Sequence, residues 1–156
     1  MAVKRLDEQI GKVKNYSSVI ETEPWGFKAE TTFYNMVLII ETEFTPHQTL
    51  SGVLGIEKSL GRSRHGKEYT DRLIDIDILF YDELLIREEN LVVPHPLMHK
   101  RRFVLQPLAE IAPGLVHPVL QTSIYDLLHA LEDPGPISVV VERREFANKL
   151  NIKNPS

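Results

Sequence analysis

The sequence predicts an α+β fold, an antiparallel sheet covered by helices on one face. Three observations predict it. Val3, Leu6, Ile10 and Val13 recur at helical spacing, and so do Leu50, Val53, Leu54 and Leu60. The stretches 14–22, 33–41 and 73–80 read instead as strands, the last by strict alternation of apolar residues with carboxylates. The order is then helix, strand, strand, helix, strand. One further strand ahead of the first helix would complete βαββαβ, the ferredoxin-like plan.

Each element has its own signal. The first helix rests on the apolar stripe that begins at Val3. Glu23-Pro24-Trp25-Gly26 breaks the chain after the strand 14–22, and the strand 33–41 is strongly apolar. Thr45-Pro46-His47-Gln48 is a helix start: Thr45 as N-cap, Pro46 at the first helical position, Gln48 closing a capping box. Gly61 is placed to end that helix. Glu57 falls on or beside its apolar stripe, where a carboxylate needs a partner. Asp82-Glu83 turns the chain, Leu91 to Val93 forms a short strand, and Pro94-His95-Pro96 ends it. His99 to Phe103 is a cationic cluster, Val104 to Ala112 a mixed segment stopped by Pro113-Gly114. Ser123 caps a helix reaching Leu131, Ile137 to Glu142 is a terminal strand, and 148–156 is a frayed tail of a single domain, 1–156.

Composition narrows the function. With 156 residues, 42% of them hydrophobic, the chain has enough apolar material for one real core. The formal net charge of −4 argues against generic binding to nucleic acid or anionic membranes. The absence of cysteine removes disulfides and thiolate metal sites. The longest apolar run, Met36 to Ile40, is too short to cross a membrane. The expected setting is cytoplasmic.

The chemistry is concentrated in the strand 73–80 and the loop before it. Asp75 and Asp77 project from one face of a strand, about 7 Å apart. Ile74, Ile76, Ile78 and Phe80 project from the other face, toward the core. Two like charges so close call for a cation, and Mg²⁺ takes oxygen ligands while leaving positions for substrate phosphates. Immediately upstream, Arg62, Arg64, Lys67 and Arg72 place four positive charges in eleven residues, and Gly61 and Gly66 make the segment a loop. Carboxylates for a metal beside arginines for a polyphosphate suit phosphoryl transfer. The phosphate-binding pattern G-x-x-x-x-G-K-[ST] is absent from the sequence.

These residues stand in a recognisable order. Glu23-Pro24-Trp25-Gly26, Phe33-Tyr-Asn35, Ile56-Glu57 with Gly61-Arg62, Asp71-Arg72-Leu-Ile-Asp75-Ile-Asp77-Ile-Leu-Phe80, Val93-Pro94-His95-Pro96 and Arg101-Arg-Phe103-Val-Leu-Gln-Pro-Leu-Ala-Glu-Ile-Ala-Pro113 follow one another. From about Ser17 to Pro118 the chain resembles the 6-hydroxymethyl-7,8-dihydropterin pyrophosphokinase family of folate biosynthesis. The resemblance implies transfer of pyrophosphate from ATP to the pterin hydroxymethyl group, with release of AMP. It implies that Asp75 and Asp77 hold two Mg²⁺ ions on ATP, and that Arg62 and Arg72 act from a mobile catalytic loop. Glu57, Arg64, His95 and Arg101 fall on the ATP side. Thr22, Glu23, Trp25, Phe33, Asn35 and Phe103 fall on the pterin side, two rings sandwiching the heterocycle and the Asn amide reading its edge. No nucleic acid or membrane is expected as partner, and the expected state is a monomer or weak homodimer.

Two departures bear on this. Family members usually open with a strand and a Gly-Ser-Asn turn, whereas this chain starts inside what should be the first helix. The expectation is a start further upstream. The competing reading is a catalytically weak pterin or nucleotide binder whose sheet lacks that strand. Tyr69-Thr70-Asp71-Arg72 also stands where many members have Trp-Gly-Pro-Arg, with the arginine kept.

Overall fold

The computed structural model describes residues 2–22, 33–61, 74–132, 137–142 and 145. Its elements are α1 (Ala2–Gln9), β1 (Lys12–Tyr16), β2 (Val19–Thr22), β3 (Phe33–Asn35), β4 (Leu38–Glu41), α2 (Pro46–Gly61), β5 (Ile86–Arg87), β6 (Val92–Val93), α3 (Arg102–Ile111), α4 (Ile124–His129) and β7 (Ile137–Val141). Helices and antiparallel strands mix along the chain, as an α+β fold requires. No helix among the described residues is long and apolar enough to cross a membrane. The backbone divides into two compact units, Met1–Lys14 with Ile40–His95, and Asn15–Ile39 with Pro96–Ser156.

In the first unit, the stripe that begins at Val3 buries Val3, Leu6 and Ile10, as its spacing requires, and Val13 is buried from β1. α1 packs on α2, where Gly52 leaves room for the Ile10 side chain. Gly11 has a stricter role: a Cβ there would lie 2.3 Å from the Glu41 carbonyl oxygen, so only glycine lets the α1–β1 turn approach the end of β4. The capping box of α2 is formed. The Gln48 N–H donates to Thr45 Oγ1 at 3.2 Å, and the Thr45 N–H donates to Gln48 Oε1 at 2.9 Å. The buried face of α2 is rotated from the one expected. Thr49, Val53 and Ile56 are buried, while Leu54 is 50% exposed. Gly52 explains the rotation, because it is the position where α1 comes close.

The hairpin β5–β6 pairs Ile86 with Val93 and Arg87 with Val92. His47 Nε2 lies 2.6 Å from Glu88 Oε2, clipping the hairpin to the start of α2. The Val93–Pro94 peptide is cis.

In the second unit a three-stranded antiparallel sheet has the order β3-β2-β7. The segments expected as the single strands 14–22 and 33–41 are each broken in two. The breaks fall at Ser17-Ser18 and Met36-Val37, and they meet each other. The Ser17 N–H donates to the Val37 carbonyl at 2.9 Å, and the Val37 N–H donates to Ser17 Oγ at 2.8 Å. The serine hydroxyl takes over a backbone bond at this point.

Of the segment 104–112, residues 104–111 are helical, within α3, despite Pro107, and Ala112 caps the helix. Proline has no N–H for the Phe103 carbonyl, so its presence argues against a helix in sequence. Burial overrides it: Leu105, Pro107 and Leu108 all pack inward. Ser123 caps α4 as expected, its Oγ accepting the Asp126 N–H at 3.1 Å. The core gathers Ile20, Met98, Leu105, Leu108 and Ile124, with His117 only 4% exposed. His117 Nδ1 accepts the N–H groups of Val119 at 3.2 Å and Leu120 at 3.1 Å, which requires an unprotonated Nδ1. Burial first, and the nearby His99 second, hold the His117 imidazole below its ordinary value of 6.5.

Leu105→Ala removes a fully buried side chain and is expected to cost about 2–5 kcal/mol in urea unfolding. Leu54→Ala, on an exposed face, is expected to stay within about 0.5 kcal/mol. For His117, the unfolded state takes up a proton below about pH 6.5 while the folded state resists it until lower pH. Its contribution is therefore present above that pH and lost on acidification. The melting temperature should fall between pH 7.5 and pH 5.5, and by less in His117→Asn, which keeps an acceptor but cannot titrate.

Candidate active site

The acidic segment lies in the first unit. Residues 74–80 run as an irregular stretch, not as the expected strand. The Leu79 carbonyl accepts the His95 N–H at 2.9 Å, and Pro94 and Pro96 on either side of His95 have no N–H to continue that pairing. The alternation of faces survives. Asp75 and Asp77 are exposed, while Ile74, Ile76 and Ile78 are half-buried.

The two carboxylates therefore face water from a segment anchored by its apolar side, with the half-buried His95 bonded two residues beyond Asp77. Glu57 is half-buried one position after the fully buried Ile56, which is the stripe-edge position its spacing implies. Among the described residues no group of three or more His, Asp or Glu side chains is placed to hold a metal ion by itself. Two exposed carboxylates still fit a hard divalent ion that takes its remaining oxygens from phosphates and water.

The strand pair β2–β3 lies in the second unit. Its register sets Thr22 opposite Phe33 and Ile20 opposite Asn35. Directly opposed residues share a face, and so do residues two apart in one strand. Thr22, Phe33 and Asn35 consequently stand on one face, continuous with the buried Ile20. Phe33 is 56% exposed, a large ring left open at the end of a packed face. From the sequence by itself Phe33 reads as a core residue, and its exposure removes that reading.

Phe103 is half-buried in the first turn of α3. The Arg101 guanidinium carbon lies 5.6 Å from the Phe103 ring centroid, a cation–π contact that the spacing did not reveal. It commits one face of the ring to arginine. The Arg102 Nε donates to Gln106 Oε1 at 2.9 Å, one turn on, and holds that side chain along the helix.

Not every expected site residue falls among those described. Glu23, Trp25, Arg62, Arg64 and Arg72 lie outside them. A cluster that carried no expected role does appear. Glu110, on the last turn of α3, accepts both the N–H and the hydroxyl of Ser18. Its only signal in the sequence is its place in the run from Arg101 to Pro113.

The comparisons with known proteins agree with one another. Residues 1–113 match the model of the 7,8-dihydro-6-hydroxymethylpterin-pyrophosphokinase (HPPK) family. The chain is 46% identical over 116 residues to the 2-amino-4-hydroxy-6-hydroxymethyldihydropteridine pyrophosphokinase of Methylorubrum extorquens, covering 74% of this chain and 73% of that protein. It is 39% identical over 118 residues to the protein of the same name from Aquifex aeolicus, covering 76% of this chain and 72% of that one. The folic acid synthesis protein FOL1 of Dictyostelium discoideum is 39% identical over 137 residues, covering 86% of this chain but 20% of a far longer protein. A family model reaching from residue 1 to 113, with the acidic pair, the Phe33–Asn35 strand and Phe103 all inside it, leaves no ambiguity of kinship: the chain belongs to the HPPK family.

Proposed function

We propose that the chain transfers pyrophosphate from ATP to 6-hydroxymethyl-7,8-dihydropterin in folate biosynthesis, as a single pyrophosphokinase domain over residues 1–156. The carrying observation is the family match over residues 1–113, which contains both exposed carboxylates and the open strand face. The same observation favours turnover over a weak binder. Relatives named as pyrophosphokinases are 39–46% identical to this chain across regions that include the whole acidic segment's family match.

The pterin hydroxyl oxygen attacks the β-phosphorus of ATP. The new O–P bond forms as the bridge between the α- and β-phosphorus breaks, and AMP leaves with the bridging oxygen. The hydroxyl proton passes to solvent or to a nearby carboxylate, since no dedicated general base stands out. Positioning and charge neutralisation then supply most of the acceleration. Bound Mg²⁺, as a pair of ions, would supply charge neutralisation on the phosphates. Asp75 and Asp77 would hold it, and their exposure beside His95 supports that role. Arg62 and Arg72 would neutralise charge around the β-phosphorus, with Glu57, Arg64, His95 and Arg101 on the nucleotide.

On the pterin, Phe33 and Phe103 would stack on the two faces and the Asn35 amide would read the edge. Thr22 and the backbone near Glu23 and Trp25 would complete the contact. The open Phe33 ring and the shared face of Thr22, Phe33 and Asn35 support this set. The order β3-β2-β7 is compatible with a ferredoxin-like sandwich. We take the protein to be cytoplasmic, acting on small molecules with no nucleic acid or membrane as partner, and to be a monomer or weak homodimer.

The test is release of AMP with ATP, Mg²⁺ and the pterin, comparing the chain with Asp75→Ala/Asp77→Ala. Pterin-dependent AMP is expected from the parent, abolished by EDTA and reduced at least about a hundredfold in the double variant. A folded parent that releases no AMP in response to pterin would sink the reaction.

A further inference from the structure

The Ser17-Ser18 break in the strands of the second unit is held from a helix. Glu110 Oε1 accepts the Ser18 hydroxyl at 2.8 Å, and the Ser18 N–H reaches Oε1 at 3.1 Å and Oε2 at 3.2 Å. Ser18 is 7% exposed, so its backbone donor is away from bulk water and needs an acceptor. A carboxylate suits this place because it is acceptor-only and offers two oxygens. An amide would present one oxygen and an NH₂ group to the same donors.

The tie does not end at Ser18. The Ser17 hydroxyl donates to the Ser18 carbonyl at 2.9 Å and accepts the Val37 N–H at 2.8 Å. The Ser17 N–H donates to the Val37 carbonyl. Ser18 lies two residues before Ile20, and Val37 two residues after Asn35, the partner of Ile20 across the strands. The carboxylate thus holds the β2 chain at the end of the pair opposite the one that carries Thr22 and Phe33, and Ser17 ties that end to Val37. On α3, Glu110 follows Phe103 by seven residues, about two turns, which returns it to the same side of the helix.

From this geometry we infer that Glu110 is a positioning residue for the pterin, setting the helix that bears Phe103 against the strands that bear Phe33 and Asn35. The inference rests on the pterin reading proposed above. A heterocycle held between two rings responds to small changes in their separation, so loosening this tie weakens pterin binding. The nucleotide side of the site is carried by other segments, apart from Arg101.

The test titrates 6-hydroxymethylpterin, by its fluorescence, and Mg²⁺–ATP into the parent, Glu110→Gln and Ser18→Ala, alongside steady-state kinetics. Each variant is expected to weaken pterin binding and raise its KM by about five- to twentyfold. ATP affinity, and kcat at saturating pterin, are expected to stay within about twofold. The double variant should fall short of the sum of the two single effects, because both weaken one Ser18–Glu110 contact, Ser18→Ala by its hydroxyl and Glu110→Gln by one of two acceptor oxygens. Unchanged pterin affinity in the folded variants overturns the inference, and so does an equal loss for ATP and pterin or a loss confined to kcat. If Glu110→Gln does not fold, Ser18→Ala decides by the same readouts, since it deletes one hydroxyl and nothing else. A parent that binds no pterin overturns the reaction reading and this inference together. A parent that binds it, with variants that match, overturns the positioning role alone.

Discussion

What the second unit can present to a ligand depends on the register of β2 against β3. Thr22 faces Phe33 and Ile20 faces Asn35. A slip of one residue would send Phe33 and Asn35 to the opposite face and bring the exposed Tyr34 in their place. The pair is short, three residues against four, and so short a ladder does not specify its own register strongly. Three constraints make up the difference. β7 pairs along the other edge of β2, Ile20 is buried on the shared face, and the Ser17–Val37 bonds lock the end next to Ile20 and Asn35. Glu110 adds a fourth from outside the sheet, which is why a surface carboxylate matters to a strand pair it does not belong to.

The first unit solves a different problem. Asp75 and Asp77 repel one another wherever they are ionised, and an exposed setting keeps that repulsion screened by water. The segment is secured by its other side, with Ile74, Ile76 and Ile78 half-buried and Leu79 bonded to His95. Exposure also leaves both carboxylates within reach of a cation from solvent, without the cost of first burying them.

Local signals with a fixed stereochemical meaning were legible in the sequence. The Thr45–Gln48 capping box, the Ser123 cap, the Asp82 turn with its φ of 51° and the β6 strand before Pro94 all stand where the residues place them. What escaped depended on contacts distant in sequence. The face of α2 turned toward Thr49 and Ile56 because of Gly52 and Ile10, which lie 42 positions apart. α3 formed through Pro107 because its apolar face is buried. The strand 14–22 broke at Ser17-Ser18, which bond to Glu110 and Val37, and the strand 33–41 broke opposite it at Met36-Val37. Of the proposed site residues, the aspartates announced themselves by alternation. Phe33 and Phe103 did not, since an aromatic residue in an apolar stretch reads as core until its exposure is known.

The two halves of the proposed chemistry therefore rest on different kinds of support, and the ligands explain the difference. A pterin is rigid and flat, recognised by stacking and by the direction of a few hydrogen bonds, so its contacts need strands and a helix held in fixed register. A triphosphate is flexible and densely charged, and a cation between it and two exposed carboxylates tolerates more variation in place. Residues 74–80 can accordingly remain irregular, provided their apolar side stays anchored and Asp75 and Asp77 keep to one side of the chain. The proposed pterin side would have no such tolerance, and the buried donors of Ser17 and Ser18 fix the strand pair it would rest on.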